Sequence, residues 1–230
     1  EQALAKADEP RRRYEMKKSI NLWAFPYPDR WSLKQSLELA REAGFEAVEL
    51  NFALEGELSA ESPVEEIIAI RKLAERVGIA ISGLCSFLFW PYPLTHNDPD
   101  QRAKAMELAL KMIEAAKLLG TKNLLVVPGA VYASWVENFD PVPSDVCEQR
   151  ARQAIRQLLP VAEKAGVYLN IENIFVSGFL FSPQEMVQFV DSFASQQVRI
   201  HFDTGNIMQY QFPEHWVPIL GKRIQNIHLK

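Results

Sequence analysis

From residue 19 onward, short runs of β-branched and apolar residues alternate with longer stretches in which apolar residues recur every three or four positions. The short runs cover residues 20–23, 46–51, 79–85, 123–127, 167–173, 198–203 and 224–230, and they predict seven strands. Helical spacing fills the intervals. It is carried by Leu33, Leu37 and Ala40 in 31–43, by Ile67, Ile70 and Ala74 in 62–78, and by Leu108, Met112 and Ala116 in 98–120. Ala154, Ile155, Leu158 and Ala162 carry it in 144–166, Met186, Val187 and Val190 in 182–190, and a short apolar run in 213–220. The first four helices each stop at a glycine, Gly44, Gly78, Gly120 and Gly166, as a left-handed C-terminal cap requires. Ser62-Pro63, Asp98-Pro99 and Ser182-Pro183 each read as an N-cap followed by a first-turn proline. Pro160 falls inside the fourth helix, where its missing N–H predicts a kink or a break.

Strict strand–helix alternation at these spacings predicts an α/β fold with an all-parallel sheet. An open doubly wound sheet would normally carry a glycine-rich phosphate turn after its first strand, but the segment there, NLWAFPYPDR (21–30), has no glycine. A TIM (β/α)8-type barrel is the expectation. Since the pattern ends in the seventh strand, and a full barrel has an eighth, the barrel is expected to be truncated after strand 7. The predicted organisation is a charged N-terminal tail over 1–18 and one barrel domain over 19–230, incomplete at its C-terminus. The tail has Arg11, Arg12 and Arg13 but no apolar segment behind them, so it does not read as an intact signal peptide, and Met16 is a candidate native start.

Composition narrows the function classes. A net charge of −4 and a pI near 5.7 give no basic field for nucleic acid. No run approaches the ~18 apolar residues of a membrane span, and a cytoplasmic location is expected. The two cysteines, Cys85 and Cys147, are read as buried free thiols rather than a disulfide or a thiolate metal site.

The candidate chemistry lies in the last third. Strands VYLNIEN, VRIHFD and IQNIHLK each carry a polar residue near the C-terminal end: Glu172, Asp203 and His228. Such residues are seldom buried without partners. Strand parity puts Tyr168, Asn170, Glu172, His201, Asp203, Asn226 and His228 on one face, and Leu169, Ile171, Ile200, Phe202, Ile227 and Leu229 on the other. Two carboxylates and an imidazole converging at one barrel mouth suit a divalent cation. His201 lies deeper and reads as a structural hydrogen-bonding group; Glu49 and Asn51 face the mouth or serve structure. The aromatics after strands one and three, Trp23, Phe25, Tyr27, Phe87, Phe89, Trp90 and Tyr92, wall a pocket or pack loops on the rim.

At these residues the chain resembles the xylose isomerase-like barrels, which comprise sugar-phosphate isomerases and ketose 3-epimerases. The matching pieces are GFEAVEL (44–50), AAKLLGTKNLLVVPG (115–129), NIEN (170–173), HFDTGN (201–206) and RIQNIHLK (223–230), in that order over roughly 19–230. The resemblance implies one divalent ion, commonly manganese or magnesium with cobalt or zinc as alternatives, held here by Glu172, Asp203 and His228. A second family glutamate belongs to strand eight. It further implies that Glu172 is a proton carrier as well as a ligand. Asn206 stands where many relatives place a substrate-contacting histidine; an amide can hydrogen-bond a hydroxyl but cannot shuttle a proton, so substrate positioning is its expected role. Lys230 is expected to reach an anionic group of the substrate.

The expected function is therefore divalent-metal-dependent isomerisation or epimerisation of a sugar or sugar phosphate, by proton transfer through an enediolate. Hydroxypyruvate isomerase or inosose dehydratase-like chemistry is one alternative, and a non-catalytic sugar-binding barrel or inactive fragment another. The expected partner is a small carbohydrate, with a homodimer in keeping with such families. The apurinic endonucleases share the barrel, but their histidine-rich trinuclear zinc site is not matched by the four histidines here, His96, His201, His215 and His228.

Overall fold

A computed structural model describes residues 16–175 and 178–230 of this chain. Its seven strands are β1 (Ser19–Asn21), β2 (Ala47–Asn51), β3 (Ala80–Cys85), β4 (Asn123–Val126), β5 (Tyr168–Glu172), β6 (Val198–Asp203) and β7 (Ile224–His228). Six helices alternate with them: α1 (Leu33–Glu42), α2 (Val64–Val77), α3 (Pro99–Leu119), α4 (Ser144–Ala165), α5 (Pro183–Asp191) and α6 (Pro213–Leu220). The strands pair in chain order and all pairs are parallel. The predicted tail falls mostly on residues 1–15, outside those described.

The sheet is curled, and one contact demonstrates it. On a flat sheet β2 and β7 would lie about 24 Å apart, five strand spacings of ~4.8 Å. Yet His228 Nε2 on β7 is 2.7 Å from Glu49 Oε2 on β2. Seven parallel strands thus wrap into a TIM-type barrel wall with the helices outside. The outward sheet face and the helix stripes form the core: Leu169, Ile171, Ile200 and Phe202 are fully buried against Ile155, Leu158, Met186 and Phe189. The inner face is polar lower down. Ser19 and Ser82 join hydroxyls at 2.7 Å, Asn123 Nδ2 donates to Ser82 O at 2.8 Å, and Asn170 Nδ2 donates to Asn123 Oδ1 at 3.2 Å. Ser19, Ser82 and Asn123 border a lumen of about 590 Å³ that runs from the N-terminal strand ends up to Glu49, His201 and His228.

Local signals explain most element ends. Ser32 and Gln35 form a reciprocal capping box at α1, as do Ser182 and Glu185 at α5. Asp98 accepts from Asp100 N–H ahead of Pro99. Four readings need correction. Ser62 does not cap α2: its hydroxyl accepts from Ser59 N–H at 2.9 Å, so Pro63 takes the cap position without a side-chain bond. Of the kink or break expected at Pro160, the break does not occur: α4 runs on, because the carbonyl freed at Arg156 lies on the exposed face while Cys147, Ala151, Ile155, Leu158 and Ala162 hold both halves on the core. The first strand is shorter than expected, Leu22–Ala24 turning into a 3₁₀ segment capped by Asn21. Leu229 is 87% exposed rather than buried, since β7 stops at His228. Both cysteines are free and buried, as expected.

The loops beyond β3 and β4 are locked by a close approach. Gly129 has φ +155°, and a Cβ there would lie 2.4 Å from Thr95 Cγ2 and 3.2 Å from Cys147 Sγ. Arg150 on α4 binds the same loop through the carbonyls of Thr95 and His96. Gly129→Ala is expected to lower stability by about 1–3 kcal/mol through overpacking, read as a reduced urea midpoint; an unchanged midpoint would show that the loop yields freely.

Candidate metal centre

The C-terminal ends of β5, β6 and β7 bring three sequence-predicted groups together. One ligand atom each from Glu172, Asp203 and His228 lies within 4.8 Å of the others. The register does this: Glu172 pairs with His201 across β5–β6, and Asp203 with His228 across β6–β7, past an irregularity between Ile200 and His201. Side-chain amides then fix the strand ends. Asn173 Nδ2 donates to Asp203 O at 2.8 Å while Asp203 N–H donates to Asn173 Oδ1 at 2.9 Å. Asn206 N–H donates to Asp203 Oδ1 at 2.9 Å, and Asn206 Nδ2 to Asn173 O at 2.9 Å. Lys230 Nζ reaches Asp203 Oδ2 at 3.2 Å and Asn206 Oδ1 at 2.9 Å. Gly205 permits this, since a Cβ there would sit 2.6 Å from Lys230 Cβ.

The electrostatics are those of an anionic hole. Glu172 is pushed up to about 8, first by burial and then by the Asp203 charge, against the pull of His228 and Lys230. Burial also opposes the ionised form of Glu49, but the hydrogen bond and charge of His228, the neighbouring His201 and the amide of Asn21 outweigh it, and its pKa falls. For His228 burial is likewise overcome by Glu49, Glu172 and Asp203, so its pKa rises. His201 drops to about 3, chiefly by burial, with Glu49 opposing and His228 assisting.

This donor set fits a divalent cation. Two carboxylates and a neutral imidazole nitrogen match the ligands of manganese, magnesium, cobalt or zinc, and the lysine ammonium against Asp203 shows that the site already draws positive charge. The sequence expectation for Asn206 and Lys230 as substrate groups finds both beside Asp203. Asn206 is buried and committed to three hydrogen bonds.

Sequence reading left Glu49 open between site and scaffold. Its carboxylate is 4% exposed and accepts from Asn21 Nδ2 at 2.6 Å as well as contacting His228. The available signal was its parity with Asn51 at the end of β2; what no local pattern reveals is that β2 lies across the lumen from β7. His201 is 1% exposed, packs edge-on to His228 with ring centroids 4.0 Å apart, and neither of its nitrogens has a hydrogen-bond partner among the described residues. The structural hydrogen bonding expected of it is therefore not observed there.

Residues 37–230 match the sequence profile of the family described as xylose isomerase-like TIM barrel. The chain belongs to that family. Solved structures agree on the fold of this xylose isomerase-like barrel. D-psicose 3-epimerase from Clostridium cellulolyticum H10, solved with D-tagatose, superposes with a TM-score of 0.78 at 19% identity, over 93% of this chain and 72% of that one. A D-tagatose 3-epimerase-like protein gives 0.73 at 22% identity, over 93% and 76%. The apo form of 3-keto-D-glucoside 4-epimerase from E. coli gives 0.75 at 15% identity, over 93% and 78%. No curated protein matches the sequence. No described helix of the barrel is long and apolar enough to cross a membrane.

Proposed function

We propose that this xylose isomerase-like barrel is a sugar isomerase or epimerase that moves a proton at a carbon next to a ketose carbonyl, using one divalent cation. The observation that carries the reading is the convergence of Glu172, Asp203 and His228 within 4.8 Å at the strand ends. The structures that share the fold, among them D-psicose 3-epimerase and 3-keto-D-glucoside 4-epimerase, suggest the substrate class. A bound cation would polarise the carbonyl and its adjacent hydroxyl, lowering the barrier to forming an enediolate.

The chain's own groups divide the remaining work. With no cation bound Glu172 is pushed up to about 8 and keeps its proton near neutral pH; a coordinated cation would favour the ionised form, the state wanted of a general base. Asp203 stays locked by Asn173 and Asn206, so its oxygens remain aimed at the centre. Lys230 is an exposed cation at the rim whose Nζ, donating to both Asp203 and Asn206, can turn to a hydroxyl or phosphate of the sugar. A small carbohydrate, free or phosphorylated, is the partner this arrangement suits.

Proton removal and return by Glu172 alone exchanges hydrogen without inverting the carbon. The test therefore reads deuterium incorporation from D₂O into a panel of ketoses and ketose phosphates with Mn²⁺ present. Manganese-dependent incorporation that disappears in Asp203→Ala is the expected result. Ketose binding without incorporation would make the chain a sugar-binding barrel instead.

A further inference from the structure

We infer that Glu49 is the positioning residue of the metal centre: it fixes the tautomer and ring plane of His228, so that Nδ1 alone faces the cation. This rests on the reading of Glu172, Asp203 and His228 as ligands. His228 has two nitrogens pointing in different directions. Nε2 lies 2.7 Å from Glu49 Oε2, and Nδ1 lies 3.8 Å from Asp203 Oδ2. A carboxylate only accepts, so the neutral ring keeps its hydrogen on Nε2, and the lone pair on Nδ1 is directed toward Asp203.

Glu49 is itself immobilised. Asn21 Nδ2 donates to the same Oε2 at 2.6 Å and contacts Cys85 Sγ at 3.2 Å, tying β1, β2 and β3 into one support. His201 closes the arrangement from below, its ring at 66° to that of His228. A ligating histidine whose other nitrogen donates to a carboxylate is the usual means of orienting the ring and raising its basicity. Here that carboxylate comes from the opposite side of the barrel.

Glu49, His201 and His228 also form a group compact enough to suggest a second cation site. The distance favours a direct hydrogen bond. An ion between a nitrogen and an oxygen at ordinary zinc bond lengths holds them roughly 2.9–3.4 Å apart, whereas 2.7 Å is a charge-assisted hydrogen bond.

The alternative tautomer would turn an N–H toward Asp203 and the cation. A glutamine at position 49 can either accept from or donate to Nε2, so it no longer selects between the two forms. Cation binding must then shift the tautomer first.

The test uses the full chain. Calorimetric titration with Mn²⁺ is compared for the parent, Glu49→Gln and Glu49→Asp, alongside ¹⁵N-histidine spectra of the metal-free proteins above the imidazole titration. Glu49→Gln is expected to bind Mn²⁺ 10–100-fold more weakly, with His228 changing from the Nε2–H form to a mixture, and Glu49→Asp to recover part of both. Unchanged affinity with His228 still in the Nε2–H form would overturn the inference. So would two ions in the parent and one in Glu49→Gln, which would make Glu49 a ligand. Should the parent bind no Mn²⁺, the metal reading fails, and the tautomer spectra alone still decide the role of Glu49: a mixture in Glu49→Gln supports it, and an unaltered Nε2–H form overturns it.

Discussion

Glu172→Gln is expected to abolish manganese-dependent exchange while stabilising the metal-free protein at alkaline pH. Loss of a positioned general base costs about 10²–10⁴-fold in rate, and the same substitution removes an anionic ligand, so the loss should reach the upper end of that range. The stability effect has the opposite sign. The carboxyl of Glu172 titrates near 8 in the fold against 4.5 as its ordinary value. Between those values the native state binds more protons than the unfolded chain, so stability falls as pH rises through the window. His228, whose pKa is also raised, acts in the same direction by losing favourable charge as pH rises. Glu49, with its lowered pKa, acts on the acid side, where its contribution disappears as pH falls.

A glutamine has no ionisation to pay for. At pH 5 the variant and the parent should unfold alike in urea with chelator present; at pH 9 the variant should be more stable by on the order of 2–4 kcal/mol, allowing for partial solvation of the site. Identical pH slopes for the two proteins would contradict the assignment of Glu172 as the proton-holding carboxyl. Divalent cation in excess should remove the alkaline loss in the parent only.

Trp216→Ala is expected to cost about 3–5 kcal/mol, the range for deleting a fully buried large aromatic side chain. Trp216 is 1% exposed, lies nearly parallel to Phe202 with centroids 5.8 Å apart, and donates from Nε1 to Gln211 Oε1 at 2.8 Å. Gln211 in turn donates to Phe181 O at 2.8 Å. One side chain thus seats α6 on β6 and joins the loops that follow β5 and β6. The urea midpoint should drop with little change in slope, and cation affinity should weaken because Phe202 immediately precedes Asp203. A stability loss below about 1 kcal/mol, computed from midpoint and slope, would mean that α6 is held elsewhere.

Much of this molecule was legible from local pattern. The run VRIHFD became β6 with the expected bounds, because Val198, Ile200 and Phe202 alternate with polar residues at the strand period, and 213–220 became α6 with the expected bounds, opened by Pro213 and closed ahead of Gly221. Parity placed Leu169, Ile171, Ile200 and Phe202 outward in the core and Asp203 and His201 inward. Misreadings arose where a side chain had two local options. Ser62 could cap α2 or close the turn to Ser59, and only the loop geometry chose the turn. Pro160 breaks an isolated helix, but a helix clamped on both sides of the proline loses only one solvent-facing hydrogen bond. Leu229 continued the apolar alternation, yet the pairing that would bury it ends with His228.

The sequence alone determined the alternation of strands and helices, the parallel sheet, and the trio Glu172, Asp203 and His228, because periodicity and strand parity are properties of neighbours along the chain. Only the tertiary structure decided that Glu49 meets His228, that Asn173 and Asn206 lock Asp203, and that Lys230 turns back onto that carboxylate. Those contacts depend on how far the sheet curls, and curl is the accumulated twist of all seven strands against the helices packed outside them. No single segment encodes it.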